Sequence, residues 1–306
     1  MVSRESRVGV LMGGLSAEHD VSMESGRAVL GALLARGWDA VAIEVGRDLP
    51  ARLVAERVEV AWLALHGRFG EDGCVQGLLE VMGIPYTGCD VRSSAVAMDK
   101  IATKRAVMGL EDVVMARDAV YRAGDPLPDL GYPVICKPAV GGSTIGMSIC
   151  DGPQALQAGL DAALALNDEV LVEEVIQGDE ITAAVLDGEA LPVVAIIPDS
   201  GFFDFEAKYT KGRTRYEVPA PIDPTVAAQA QRAAVAVYRA LGCRGLCRAD
   251  FIVSAKGEPV FLEINTIPGM TATSLSPMAA GASGVSFEEL VERVLLGAHV
   301  MEAERT

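Results

Sequence analysis

The chain has 306 residues, half of them hydrophobic, enough for two or three compact domains with substantial cores. Lys plus Arg number 26 against 42 Asp plus Glu, a net charge of −16 at pH 7, which repels phosphate backbones and anionic membranes wherever no local basic groove intervenes. Disordered and collagen-like classes are excluded, and no apolar run approaches the ~18 residues of a membrane span.

The opening MVSRESRVGVLMGG passes from a short apolar run into glycine and does not read as a secretory signal. Six cysteines, at 74, 89, 136, 150, 243 and 247, form no CxxC and read as reduced thiols. Cys243 and Cys247, with no His nearby, make a poor zinc site. A cytoplasmic protein with no nucleic-acid or membrane partner is expected.

Arg7–Met12 predicts a buried strand closed by Gly13-Gly14. Ser16 is placed to cap a helix through about Arg36, with Gly37 as its stop. Ala40–Val45 and Val58–Leu65 predict strands, the second ending at His66-Gly67; a helix over Asp72–Met82 and a short strand at Ile84–Tyr86 follow. Strands alternating with helices imply βαβ units and a parallel sheet. One long helix is expected over Ser93–Met108, carrying Lys100, Lys104 and Arg105.

Val134–Lys137 predicts a strand running into the Gly/Ser/Thr loop 141–146, then a strand at Met147–Cys150, a helix at Pro153–Ala165 with Pro in its first turn, and a strand at Val170–Val175. Glu180–Leu186 and Ala190–Ile197 flank Asp187-Gly188, a hairpin signal. Phe202–Pro221 is long, polar and turn-rich, the character of a functional lid. A helix at Thr225–Leu241, strands at Cys247–Val253 and Pro259–Ile264, and a helix at Phe287–Glu302 complete the chain.

Four constellations carry chemistry. Glu263 and Asn265 point to the same face of a strand, and Asp250 on the preceding strand can join them. Two carboxylates and an amide are hard oxygen ligands of the sparse kind that hold Mg²⁺ on nucleotide phosphates, although a solvated polar face is the alternative. Lys137 ends a strand before a glycine-rich loop, where backbone N–H groups and a point charge can hold phosphate; a plain turn is the alternative, and no Walker A motif closes the loop. Glu173, Glu174 and Glu180 can meet an adenine and its ribose, or be solvated. Glu18 and His66 lie at the carboxyl edge of the first sheet, where open α/β sheets bind ligands, though a lone His is more often structural.

Gly13-Gly14-Leu15-Ser16-Ala17-Glu18, Leu65-His66-Gly67 with Gly70-Glu71-Asp72-Gly73, Tyr86-Thr87-Gly88, Met98-Asp99-Lys100, Glu206-Ala207-Lys208-Tyr209 and Glu263-Ile264-Asn265-Thr266-Ile267-Pro268-Gly269-Met270-Thr271 together resemble the D-alanine–D-alanine ligase family of the ATP-grasp fold. The resemblance runs in order from about Val8 to Leu290. It implies an α/β architecture of three domains: a Rossmann-like substrate domain at 1–92, a central ATP-grasp domain at 93–177, and a C-terminal ATP-grasp domain at 178–306, the last two sandwiching ATP. The implied reaction joins two D-alanines through an acyl phosphate, for peptidoglycan precursors, and the implied assembly is a homodimer.

The resemblance also implies roles. Lys100, Lys137, Ser143 and Thr144 would contact ATP phosphates; Glu173, the Glu174 and Ile176 backbone, and Glu180 would hold adenine and ribose, with Lys208 also near the nucleotide. Asp250, Glu263 and Asn265 would bind two Mg²⁺, with Mn²⁺ as a substitute. Glu18 would hold the first D-alanine's ammonium beside His66, Arg248 and the Gly269 N–H would stabilise the oxyanion, and Ser274 and Lys208 would bind the second carboxylate. Tyr209 would tie the lid to Ser143 and Glu18. Glu174 stands where some members carry Lys, Glu111–Ala119 lacks a proline common there, and Ala139-Val140-Gly141 replaces residues often charged. The alternatives are a D-Ala–D-lactate or D-Ala–D-serine ligase, which Lys208-Tyr209 disfavours for the lactate case, or another ATP-grasp carboxylate–amine ligase.

Overall fold

The computed structural model describes residues 2–142, 146–198 and 214–301. The chain opens with β1 (Val8–Gly13), α1 (His19–Ala35), β2 (Ala40–Val45), α2 (Leu49–Ala55), β3 (Val60–Leu63) and α3 (Cys74–Met82). These strands form a parallel sheet in the order β2-β1-β3. Every residue of the central strand is buried, as a parallel strand covered on both faces requires.

Two details of this first unit differ from expectation. Helix α1 begins at His19, and Ser16 does not cap it. The Ser16 hydroxyl instead donates to the His66 carbonyl at 2.7 Å and accepts from the Glu18 N–H at 3.2 Å. It ties together the two loops that leave β1 and β3. Ile84–Tyr86 makes only a single parallel bridge, Ala61 to Tyr86, and Tyr86 also bridges His299 from the end of the chain.

The long helix expected over 93–108 is two helices, α4 (Val91–Met98) and α5 (Lys100–Val107). The break is Asp99, whose extended backbone (φ −95°, ψ 109°) lets its carboxylate accept from the Ala102 N–H at 2.9 Å. Aspartate is a poor helix-interior residue and a good N-cap, so the chain stops and restarts there. The restart puts Lys100 at the head of α5, where its N–H donates to the Ala139 carbonyl at 2.8 Å.

Two strands the sequence did not announce follow, β4 (Val114–Met115) and β5 (Asp118–Tyr121), then β6 (Val134–Pro138), β7 (Ser148–Cys150), α6 (Pro153–Leu164) and β8 (Val170–Glu174). An antiparallel sheet in the order β5-β8-β6-β7 packs Val134, Cys136, Val170 and Val172 against Leu156, Leu160 and Ala163 of α6.

The third sheet uses β9 (Gly178–Leu186), β10 (Glu189–Ala190), β11 (Val194–Pro198), β12 (Thr214–Glu217), β13 (Leu246–Ser254) and β14 (Pro259–Asn265). Its order is β12-β11-β9-β13-β14-β4, with β10 paired to β9. Asp187 and Gly188, both at positive φ (51° and 87°), make the β9–β10 turn as the Asp-Gly pair predicts. Strand β12 lies inside the stretch read as a lid; positions 202–213 of that stretch lie outside the described residues. Helix α7 (Pro224–Leu241) covers one face with the small residues Ala230, Ala233 and Ala234, and α4, α5 and β4 pack on the same unit.

The chain closes with α8 (Leu275–Ala282), which was not expected, and α9 (Phe287–Leu296), which stops short of the predicted Glu302. Helix α9 returns to the first sheet. There the indole N–H of Trp38 donates to Glu292 Oε1 at 2.8 Å, that of Trp62 donates to the Val291 carbonyl at 3.3 Å, and Arg36 pairs with Glu292. No described helix is long and apolar enough to cross a membrane.

Candidate active site

The loops at the carboxyl edge of the first sheet meet the turn that follows β14, through Glu71 to the Ile267 N–H and Ser25 to the Met270 N–H. In the antiparallel register of β13 and β14, Arg248 stands opposite Asn265 and Asp250 opposite Glu263. The two-residue period of each strand therefore gathers all four on one face. Asp250 is buried and densely bonded: it accepts two guanidinium bonds from Arg248 at 2.9 Å, one from the Asn265 amide at 3.1 Å, and one from the Thr182 hydroxyl at 2.6 Å. Burial works against the Arg248 charge, but the Asp250 carboxylate outweighs it and raises the guanidinium above its ordinary value. Glu263 approaches Lys100 Nζ at 4.0 Å, and the same Nζ donates to the Gly141 carbonyl at 2.5 Å. Gly141, where the glycine-rich stretch begins, is thus held by the lysine that heads α5.

On the opposite wall, Glu18 lies over the Gly67 turn. A Cβ on Gly67 would come within 2.7 Å of Glu18 Oε2, and one on Gly142 within 3.3 Å. Gly67 also has φ +68°, the left-handed region that favours glycine. His66 is buried, and burial lowers its pKa and holds the ring neutral. Its Nε2 is 3.3 Å from the Ser25 hydroxyl oxygen, which accepts from the Met270 N–H at 3.1 Å. That N–H belongs to the turn carrying Gly269, where a Cβ would lie 3.2 Å from Ser274 Oγ. Ser274 heads α8 and accepts from the Thr271 N–H at 3.1 Å.

Sequence reasoning assigned no role to Glu71, although it quoted the Gly70-Glu71-Asp72-Gly73 motif. Its Oε2 accepts from the Gly67 N–H at 2.7 Å and its Oε1 from the Ile267 N–H at 3.3 Å. One carboxyl group therefore joins the two loops that carry His66 and Gly269. Burial and then the Glu18 charge push Glu71 up to about 8, against the pull of its N–H donors and Arg248.

A pH test follows from the sign of that shift. Between the ordinary value of 4.5 and about 8, the folded chain holds more protons than the unfolded chain. Stability is therefore lost as pH rises through that window. The melting temperature of the wild type should fall relative to Glu71→Gln over this range and run parallel to it above. Thermal melts at closely spaced pH values check this; a constant difference across the range would contradict it.

The antiparallel sheet of β5–β8 brings a third group into place. Glu173 is buried, and its two oxygens each lie 2.5 Å from an ammonium, Oε1 from Lys104 and Oε2 from Lys137. Burial raises the Glu173 carboxyl, but Lys137 and Lys104 outweigh it and the net shift is downward. Lys104, also unassigned from the sequence, completes its shell with Asp118 at 3.0 Å and the Ala116 carbonyl at 3.0 Å. Both oxygens of Glu173 are thus engaged by lysines. Glu174 accepts from the Arg117 N–H at 3.0 Å and from its Nε at 2.8 Å, so its side chain faces Arg117. Ile176 is half-buried in the turn between β8 and β9. Glu180 aligns across β11 with Tyr216 of β12, a residue sequence reasoning passed over. Ser143, Thr144, Lys208 and Tyr209 lie outside the described residues.

Comparison with known proteins adds a second line of observation. The family model described as D-ala D-ala ligase C-terminus matches residues 109–296, and that described as D-ala D-ala ligase N-terminus matches 50–89. A D-alanine–D-alanine ligase of Syntrophotalea carbinolica is 50% identical over 299 residues, covering 96% of this chain and 97% of the relative.

The chain belongs to the D-alanine–D-alanine ligase family.

Other members of the family agree. The enzyme of Geobacter sulfurreducens is 48% identical over 302 residues, covering 97% of this chain and 95% of its own. Among solved structures, the D-alanine–D-alanine ligase of Bacillus anthracis complexed with ATP superposes with a TM-score of 0.84 at 32% identity, covering 95% of this chain and 97% of that one. The VanG D-Ala:D-Ser ligase of Enterococcus faecalis superposes at 0.81 with 30% identity, covering 95% and 98%. The fold expected from the sequence, an α/β ATP-grasp architecture with a parallel first sheet, is the one found.

Proposed function

We propose that this chain joins two D-alanines into D-alanyl-D-alanine at the expense of ATP, in three units at 1–92, 93–177 and 178–306. The observation that carries the reading is the single connected set of groups between the first and third sheets, from Glu18 and His66 through Arg248 to Asp250, Glu263 and Lys100. It brings together a carboxylate, a partly buried guanidinium and a lysine, charges suited to hold an ammonium, an oxyanion and a phosphate. Relatives named for the same reaction, at 50% and 48% identity over nearly the whole chain, support the substrate.

In this reading Glu18 holds the first D-alanine's ammonium, beside a neutral His66 that does not repel it. The substrate carboxylate attacks the γ-phosphate of ATP, giving D-alanyl phosphate and ADP. Lys100 and Lys137, with Ser143 and Thr144, neutralise phosphate charge along the path. Glu180 and the Glu174–Ile176 backbone hold adenine and ribose, and Glu173 positions Lys137. The amine of the second D-alanine then attacks the acyl carbon, and phosphate leaves. Arg248 and the Gly269 N–H stabilise the oxyanion of the tetrahedral intermediate, electrostatic help that is worth most in a closed site. Ser274 and Lys208 hold the second carboxylate, and Tyr209 draws the lid shut so that water does not hydrolyse the acyl phosphate.

The oxygen atoms of Asp250, Glu263 and Asn265, hard donors gathered on one face, fit Mg²⁺ and would admit Mn²⁺. Bound there with ATP, the metal supplies positive charge to the phosphates. The same reading carries a homodimeric, cytoplasmic enzyme, as the family resemblance implies.

ADP release with Mg·ATP and D-alanine, beside L-alanine and no-amino-acid controls, tests the proposal. D-alanine-dependent ADP with D-alanyl-D-alanine identified by mass is the expected result. ADP without dipeptide, or preference for D-serine or D-lactate as acceptor, would overturn the substrate assignment.

A further inference from the structure

Three thiols, one of them more than 150 residues from the other two, meet beneath the third sheet. Cys89 comes from the segment joining the first unit to α4, Cys243 follows α7, and Cys247 lies on β13. All three are buried, and their sulfur atoms lie within 4.8 Å of one another, with Cys89 and Cys247 at 3.5 Å. The sequence offered only the Cys243–Cys247 pair; the third ligand arrives through the fold. Two glycines make the approach: a Cβ on Gly245 would lie 3.3 Å from the Gly88 Cα, so the turns flanking the cysteines touch backbone to backbone. The carbonyl of Arg244 faces both Cys89 and Cys247 sulfurs at 3.8 Å.

We propose that Cys89, Cys243 and Cys247 form a three-thiolate site for one soft, thiophilic metal ion. The size fits, because metal–sulfur bonds of about 2.3 Å place three trigonal sulfurs roughly 4 Å apart. The donor set selects a soft ion over the hard Mg²⁺ class. Among the described residues the cluster holds no fourth His, Cys or carboxylate, which disfavours the four-coordinate structural zinc arrangement. Binding a divalent ion breaks three S–H bonds, forms three metal–sulfur bonds and releases three protons, with no change of oxidation state. The filled site would link the 86–90 segment to the strand that carries Arg248, one residue beyond Cys247.

Cd²⁺ is the probe. The full-length protein is kept reduced with a phosphine and given excess Mg²⁺ to occupy the oxygen donors, then titrated with Cd²⁺ until the absorbance is constant. The expected result is sulfur-to-cadmium charge-transfer absorption saturating at one equivalent, with an upward shift in melting temperature. Cys89→Ser should abolish both, and Cys136→Ser, in the separate Cys136–Cys150 pair (3.9 Å), should retain both. X-ray absorption on the wild type counts the ligands without relying on any variant folding: three sulfurs support the site. No charge-transfer band, a band that survives in Cys89→Ser, or a shell of two or fewer sulfurs would overturn it.

Discussion

Glu263→Gln keeps the fold and lowers kcat by about 100-fold or more at saturating ATP, D-alanine and Mg²⁺. The substitution preserves volume and a hydrogen-bonding oxygen but removes the charge. Glu263 is half-exposed at the end of β14, so no buried partner is orphaned and the melting temperature should change little. On the proposed metal site the substitution removes one hard anionic ligand, and with it the counter-charge facing Lys100 at 4.0 Å. A loss of ~3 kcal/mol of transition-state stabilisation corresponds to about two powers of ten in rate. Initial rates of ADP release over a Mg²⁺ series, beside circular dichroism and thermal melts, separate the outcomes. Turnover near wild type once Mg²⁺ saturates would remove Glu263 from the metal set. A collapsed melting temperature would mean instead that the side chain supports the fold.

That prediction rests on a feature the sequence displayed openly. Glu263 and Asn265 are two residues apart on an apolar strand, and a period of two puts them on one face whatever the rest of the chain does. The hairpin of β9 and β10 was equally visible, because Asp187-Gly188 names its own turn. Strand β2 matches its predicted limits, Ala40 to Val45, and β1 and β3 fall within a few residues of theirs, because short apolar runs leave little choice.

The missed features share a different cause. Asp99 breaks a helix that periodicity alone continues, since its capping bond outweighs one more helical residue. Helix α8 was hidden by Pro277 and Gly281 and by a sequence with no polar face. Ser16 looks locally like a cap, because its partner, the His66 carbonyl, is fifty residues away. Glu71 stands in a loop motif and Lys104 on a predicted helix, and nothing local to either stretch shows what its charge meets. Their meaning appears only when Ile267 and Glu173 arrive from elsewhere in the fold. Local pattern shows which way a side chain points; only tertiary contact shows what it meets.

The Lys104–Glu173–Lys137 group supplies the second large effect. Glu173→Gln leaves two buried ammonium groups facing a neutral amide in place of the carboxylate they share. Removing one partner of a buried ion pair typically costs about 3–5 kcal/mol, because the remaining charge stays desolvated. Lys104 retains Asp118, whereas no other acceptor of Lys137 is as close as Glu173 among the described ion pairs. The loss should therefore fall on Lys137, raising the KM for ATP as well as lowering the melting temperature.

The pH dependence has a definite sign. The Glu173 carboxyl is depressed in the folded chain, so its contribution is present above the ordinary carboxylate range and is lost as pH falls through the depressed value. Wild type and Glu173→Gln should therefore differ most in stability near neutrality and converge under acid. Adding Lys104→Met to Glu173→Gln relieves the repulsion between two buried cations that no longer share a carboxylate and fills the space with apolar volume, so the double variant should recover part of the stability. Its KM for ATP should stay high, because Lys137 still lacks its carboxylate. Urea titrations at neutral and acidic pH, with ATP saturation curves for both variants, read the two consequences separately. Recovery of stability and KM together would mean that Glu173 serves the fold and leaves Lys137 correctly placed without it.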